Sequence, residues 1–120
     1  MTSKAGIPDT YFDEEQFIVN EINEDEIIGI LGVRPTPEQV LKFELCKIIS
    51  HLIRQKGYSN HDAGKVTGND ASDISRLLNY HIDRFTIERL LKTLTFLEGS
   101  KYVWKSMAKI SEQIEKWVDS

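Results

Sequence analysis

The sequence predicts an all-α fold of about five helices. Beyond residue 37, apolar residues recur every three or four positions, as in helices that bury one face. Short stretches with helix-capping residues and glycine separate the segments that carry this pattern. No segment alternates apolar and polar residues as a half-buried strand does, and no internal repeat is present. The 120 residues suffice for one domain with short appendages.

Residues 1–27 are predicted to form an acidic, partly disordered arm. Residues 1–37 hold eight acidic and two basic residues, so they carry the acidity behind the net charge of −4. The few apolar residues of the arm are compatible with a short helix near 13–22. An apolar patch at 27–33 follows, ends at Arg34-Pro35, and is predicted to pack on the domain beyond it.

The first long helix is predicted over about 37–56. Thr36 can cap it, Pro37 suits the first helical position, and Gln39 completes a capping box. Gly57 marks its end, because glycine adopts the left-handed conformation that often follows a helix. The apolar positions of this helix are Leu41, Leu45, Ile48, Ile49, Leu52 and Ile53.

The next two helices are short and meet at a tight turn. Ser59 is predicted to cap the first, which stops at Gly68. Asn69 or Asp70 is predicted to cap the second, over about 71–80. Two short helices joined by a glycine-containing turn are typical of a helix-turn-helix, whose second helix protrudes far enough to enter a major groove.

The junction of these two helices is predicted from small and apolar residues. Ala63 lies five residues before Gly68, where the helix backbones must approach closely. Ile74 and Leu77 supply the apolar inner face of the second helix. We therefore expect all four residues to be buried or tightly packed.

Two further helices complete the pattern. Thr86 is predicted to cap a fourth helix, whose apolar stripe runs from Ile87 to Leu97. The fifth helix covers about 101–118 and carries an apolar seam with alternating spacings of four and three residues. The seam is compatible with packing on the same domain and with a dimer contact. Its members are Val103, Met107, Ile110, Ile114 and Trp117.

Four sequence elements stand in a characteristic order. They are Leu31-Gly32, Leu41-Lys42-Phe43-Glu44-Leu45, the two short helices, and Arg84-Phe85-Thr86-Ile87-Glu88-Arg89-Leu90. In this order they resemble the Xre or phage-repressor type of helix-turn-helix regulator, and more closely the branch that includes antitoxins of toxin–antitoxin systems. The resemblance covers residues 28–98. It implies a lambda-repressor-like core there, with 99–120 as an extra C-terminal helix that could serve dimerisation.

The resemblance implies a sequence-specific DNA-binding transcriptional regulator of the antitoxin-type autorepressor class. Such a protein would act as a homodimer on double-stranded DNA, with a toxin protein as a further partner. The alternative is a protein-interaction module that kept the fold and lost DNA binding.

The acidic arm at residues 1–27 has its own alternatives. It is either a solvated tail or a segment that binds a basic partner or covers the protein's own DNA-binding face.

The resemblance also implies which residues meet DNA. Asn60, at the start of the first motif helix, would contact a phosphate, and Asn79 and Arg84 would lie near the DNA backbone. Arg76 would read base edges, because a guanidinium can donate two bonds to O6 and N7 of guanine. The other implied positions on the second motif helix are Ala71, Ser72 and Ser75.

Asp70 and Asp73 place two carboxylates at the start of this second, recognition helix. Their spacing fits a capping box, and acids there interact favourably with the helix dipole. Capping is therefore favoured over base readout, although a carboxylate can accept from N4 of cytosine. Both carboxylates oppose the approach of phosphates, which favours the alternative without DNA binding.

Catalysis, cofactors and metal sites are not predicted. Nothing resembles a nucleophile elbow, an oriented triad or a phosphate loop, so an enzyme is not expected. His51, His61 and His81 lie on separate segments without a second ligand type at metal spacing. Cys46 is interpreted as a buried structural thiol. No apolar run reaches the roughly 18 residues needed to span a membrane, and no signal peptide is evident, so a cytoplasmic protein is expected.

Overall fold

The computed structural model describes residues 22–98 and 100–119, which form six α-helices and one 3₁₀ turn without any strand. The all-α prediction is confirmed. Residues 1–21, with most of the predicted acidic arm and its short helix, lie outside the described part. The helices are α1 (Glu24–Leu31), α2 (Pro37–Gln55), α3 (Asn60–Thr67), α4 (Ala71–Leu78), α5 (Ile87–Glu98) and α6 (Ser100–Asp119), with the 3₁₀ turn at Ile82–Arg84 between α4 and α5.

Helix α1 is an element that the sequence pattern did not predict. The Asn23 side chain caps it by accepting from a backbone N–H three residues later, at 3.1 Å. Gly32 ends it with a φ of +80°, in the left-handed region. Ile27 is fully buried against Val40 and Phe43 of α2. The apolar patch therefore packs on the domain as expected, and the predicted arm boundary at residue 27 falls inside this helix.

Helix α2 runs through the centre of the fold and packs against α4, α5 and α6. Its predicted capping box is confirmed: Thr36 Oγ1 accepts from the Gln39 N–H at 3.2 Å, and Gln39 Oε1 accepts from the Thr36 N–H at 2.9 Å. Gly57 follows the helix with a φ of +71°. The main core joins α2 to the other helices through Leu45, Ile48, Ile49, Leu52, Ile53, Ile74, Leu77, Leu90 and Leu94.

The two short helices α3 and α4 have the predicted caps. Ser59 Oγ accepts from the Asp62 N–H at 3.0 Å, and Asp70 Oδ1 accepts from the Asp73 N–H at 2.8 Å. Of the two candidates, Asn69 and Asp70, it is Asp70 that caps α4. These bonds satisfy N–H groups that a helix start leaves without partners within the helix.

The junction between α3 and α4 confirms three of the four expected residues. Ala63, Ile74 and Leu77 are at most 1% exposed. The expectation for Gly68 is wrong, because this residue is exposed and its φ of +77° is what the turn requires. The close approach occurs at Gly64, where an added Cβ would lie 2.5 Å from the carbonyl oxygen of Asn69.

Helices α5 and α6 close the core from the other side. Thr86 caps α5 as predicted, since its Oγ1 accepts from the Arg89 N–H at 3.1 Å. The α6 seam packs on its own chain. Ile110 is fully buried in the main core, and Val103 and Met107 lie against it. Further along the seam, Ile114 and Trp117 pack against the cluster of Ile27, Val40 and Phe43. The seam thus packs on its own domain, and a dimer contact through α6 stays a prediction.

Candidate nucleic-acid interface

The predicted DNA-contacting residues of α4 share one side of that helix. Helical periodicity places positions 71, 72, 75, 76 and 79 within one face, opposite the buried Ile74 and Leu77. Ala71 and Ser72 are exposed, whereas Ser75 and Arg76 are half-buried. The structure therefore brings these residues together on a face that the core does not cover.

The remaining predicted residues lie on other elements or at the end of α4. Asn60 is the exposed first residue of α3, and Arg84 is exposed at the end of the 3₁₀ turn. Asn79 is exposed and follows α4 as its C-terminal cap residue. Its side-chain amide donates to the Ser75 carbonyl at 2.8 Å, which secures the last turn of α4.

Asp70 and Asp73 have different roles. Asp70 is the exposed cap of α4, and bonds from the Asp73 N–H and the Ser72 hydroxyl hold the pKa of its carboxyl below the usual range. The Asp73 carboxylate instead accepts from two arginines, Arg76 through Oδ1 at 2.9 Å and Arg89 through Oδ2. Capping is therefore confirmed for Asp70, whereas Asp73 contributes only its backbone N–H to the cap.

Arg89 of α5 connects the recognition helix to the rest of the fold. Its Nε and Nη2 donate to Asn69 Oδ1 at 3.0 and 2.8 Å, and its guanidinium lies 5.4 Å from the centre of the Phe85 ring. The amide of Asn69 donates in turn to the hydroxyls of Thr67 and Thr93, at 3.0 and 3.1 Å. We call Asn69, Asp73, Arg76 and Arg89 the Arg89 network.

Asn69 and Arg89 contribute to this site although neither was predicted as part of it. Arg89 belongs to the segment that carries the family resemblance, and Asn69 belongs to the turn, so both were visible in the sequence. No periodicity or spacing links them, because Arg89 lies 16 positions after Asp73 and 20 after Asn69. Their contact depends on how α5 packs against α3 and α4.

A groove of about 410 Å³ lies beside the Arg89 network, between helix α5 and the turn that joins α3 to α4. It presents the cationic side chains of Arg89 and Lys92 next to Glu88, and the half-exposed ring of Phe96. Residues 59–92 as a whole hold five basic and five acidic side chains. Attraction to phosphates must therefore come from the local arrangement of charges rather than from net charge.

The other candidate chemistry is limited in the described part of the chain. Cys46 is fully buried, as expected for a structural thiol, and burial raises the pKa of its thiol to about 12. Within residues 22–98 and 100–119, no three His, Cys, Asp or Glu residues are grouped so that they could hold a metal ion. None of the helices described is both long and apolar enough to cross a bilayer.

Comparison with known families identifies a match for more than half of the chain. A family model for a helix-turn-helix domain matches residues 31–100, from the last residue of α1 to the first residue of α6. The matched segment contains every helix that positions the Arg89 network. No curated protein and no solved structure matches the chain.

Proposed function

This chain belongs to a family of helix-turn-helix domains, and we propose that it is a sequence-specific DNA-binding transcriptional regulator. The observation that carries the proposal is the outer face of α4, where Ala71, Ser72 and Arg76 stand opposite the buried Ile74 and Leu77. In a helix-turn-helix this face of the second helix enters the major groove. A family of such domains typically regulates transcription rather than catalysing a reaction.

The roles of individual residues follow from their positions on this face. Arg76 would read a guanine, because its planar fork matches the O6 and N7 acceptors. Asn60 would bind a phosphate from the start of α3, and Arg84 and Asn79 would approach the backbone beside it. Ser75, like Ala71 and Ser72, would make the smaller contacts to base edges.

The charge pattern around Asp73 also supports DNA binding. Arg76 and Arg89 both donate to this carboxylate, so two positive groups outweigh its single negative charge at the base of the recognition helix. Asp70 is the exposed acid that remains at the helix start, beside the predicted base-reading residues. Its carboxylate could accept from N4 of a cytosine.

More specifically, we propose that this regulator is an antitoxin-type autorepressor of the Xre type, with its DNA-binding domain at 28–98. The order of four sequence elements supports it. A homodimer would present two recognition helices to a two-fold operator. A toxin protein would be a second partner of this regulator.

The experiment is a selection of bound duplexes from a random library, followed by fluorescence anisotropy across a salt series. Arg76→Ala should weaken binding to the selected duplex by ~1–3 kcal/mol and relax base preference at one position per half-site. Asn60→Ala should weaken binding to all sequences alike, because a phosphate contact carries no sequence information. Lys109→Ala, at an exposed position of α6, is the control and should leave base preference unchanged.

The second candidate is a protein-interaction module with the same fold, favoured by the exposed Asp70 and by the balanced charge of residues 59–92. It predicts that the wild type enriches no DNA motif. It also predicts that Arg76→Ala and Asn60→Ala leave any non-specific binding to DNA unchanged. That result would replace the regulator with this second function.

A further inference from the structure

We infer that Arg89 is a positioning residue for base reading, because it holds Asp73 and through it the guanidinium of Arg76. The inference rests on the proposed function, since it requires Arg76 to meet a base. It adds a residue of α5, outside the helix-turn-helix itself, to the determinants of sequence preference.

The Asp73 carboxylate is held from two sides. Its Oδ1 accepts from Arg76, one turn further along α4, and its Oδ2 accepts from Arg89 of α5. The Asp73 side chain is 19% exposed, whereas Arg76 is 37% exposed. With both oxygens engaged, the carboxylate has a defined orientation. Arg76 uses Nη1 for this bond and keeps other N–H donors of its fork for a base.

Arg89 is itself anchored at several atoms. Two of its nitrogens donate to Asn69, and its guanidinium lies over the Phe85 ring. Asn69 is tied to the buried hydroxyls of Thr67 and Thr93. The anchor therefore reaches from the core side of α5, through the turn, to the outer face of α4.

This arrangement prepares Arg76 for binding. An arginine that is oriented before it meets DNA loses less rotamer freedom on binding than a mobile one. Without Arg89, the pair of Asp73 and Arg76 would be a partly exposed ion pair within one helix, and such pairs hold their geometry weakly. Base preference at the position read by Arg76 should therefore depend on Arg89, although Arg89 contacts no base.

The test compares two substitutions that remove the same charge from α5. Arg89→Gln breaks the network, whereas Lys92→Gln removes an exposed cation one turn along the same helix. Both should weaken non-specific binding equally and reduce its salt dependence alike. Only Arg89→Gln should also lower the preference at the base pair identified with Arg76→Ala, by roughly tenfold, a typical part of an arginine–guanine contact.

Two further variants separate positioning from folding. Arg89→Lys keeps the charge, but a single ammonium cannot reproduce the fork that joins Asn69 and Asp73, so it too should lower that preference. In an Arg76→Ala background, Arg89→Gln should cause no further loss of base preference, because the group that it positions is gone. Circular dichroism at the assay temperature identifies the folded variants.

The outcomes distinguish a failure of the proposed DNA-binding function from a failure of the positioning role of Arg89 alone. If the wild type enriches no motif, the proposed function fails and the positioning role fails with it. If the wild type enriches a motif and Arg76→Ala flattens one position, but Arg89→Gln and Arg89→Lys keep the wild-type preference there, the regulator stands and the positioning role is overturned. An equal loss for Lys92→Gln would also overturn it, because charge alone would then explain the effect.

Discussion

Two carboxylates in this protein occupy contrasting surroundings. Asp73, at the start of the recognition helix, is 19% exposed and accepts from two guanidinium groups. Glu44, in the middle of α2, is 1% exposed, and its Oε1 has no hydrogen-bond donor within the described residues. The neighbouring Lys47 donates instead to Glu26 of α1, at 3.0 Å.

The difference lies in what the fold supplies to each carboxylate. Burial raises the pKa of Glu44 to about 7, Lys47 opposes the rise, and Glu26 adds to it. A buried carboxylate with an oxygen that lacks a donor is thus costly when charged. Asp73 receives charge-assisted bonds from two helices and can organise the interface. A charged carboxylate therefore stabilises the contact between α4 and α5 at Asp73, whereas at Glu44 it destabilises the folded state.

The largest effect is expected from the core beneath the recognition helix. Ile74 is fully buried under the segment that carries Asp73, so Ile74→Ala should lower the free energy of unfolding by ~2–5 kcal/mol through a core cavity. Val66→Ala, at a 39% exposed position of α3, should change it by at most about 0.5 kcal/mol. Denaturant titrations measure both. An unchanged stability for Ile74→Ala would show that the helix-turn-helix does not rest on this core.

The second-largest effect is expected from Glu44, whose burial lowers the free energy of unfolding when its carboxylate is charged. Because its folded-state pKa is raised from 4.5 to about 7, the folded state is penalised above pH 7 and the penalty disappears as the pH falls towards 4.5. Over this window Glu44 accounts for about 3 kcal/mol of stability gained on acidification. Glu44→Gln should stabilise the protein at pH 8 by ~1–3 kcal/mol and flatten its pH dependence.

Glu98 is a second carboxyl whose titration contributes over the same pH range. Burial also raises the pKa of Glu98 to about 7, against a bond from the Ser106 hydroxyl. Glu98→Gln should therefore remove the other part of the pH dependence, and the double variant should be flatter than either single one. A Glu44→Gln protein that keeps the full wild-type pH dependence would contradict the assignment to Glu44.

A smaller effect of opposite sign is expected for Asp73. Asp73→Asn keeps the shape of the side chain and removes the charge that binds Arg76 and Arg89, so it should lower the free energy of unfolding by about 1–2 kcal/mol at pH 8. Glu44→Gln is the same kind of substitution and should raise it. If both variants shift stability in the same direction, the contrast between the two sites is wrong.

The smallest effect concerns the ion pair of Glu26 and Lys47. Both side chains are more than 40% exposed, so Glu26→Gln should change the free energy of unfolding by less than about 1 kcal/mol. It removes a negative charge near Glu44 and releases Lys47, so the pKa of Glu44 should fall. The pH dependence of unfolding should move to lower pH. A midpoint that stays in place would mean that burial alone sets this pKa.

The sequence predicted the long helices and the helix-turn-helix well, because their signals are local. Thr36 with Gln39 marks the start of α2, and Ser59, Asp70 and Thr86 cap the helices that follow. Helix α1 was missed because a helix of only eight residues has little stability alone, and its periodic signal is correspondingly short. Its Ile27 becomes part of a core only when α2 supplies the partner residues.

The sequence by itself determined the order of helices α2 to α6, the caps of α2, α3 and α5, and the identity of the outer face of α4, since periodicity and capping act within a few residues. Only the tertiary structure decided the partners of the two carboxylates. Arg89 reaches Asp73 because α5 packs against the helix-turn-helix, and Glu44 loses its solvent because α1 and other helices cover α2. Both outcomes depend on distances between helices, which local sequence signals do not contain.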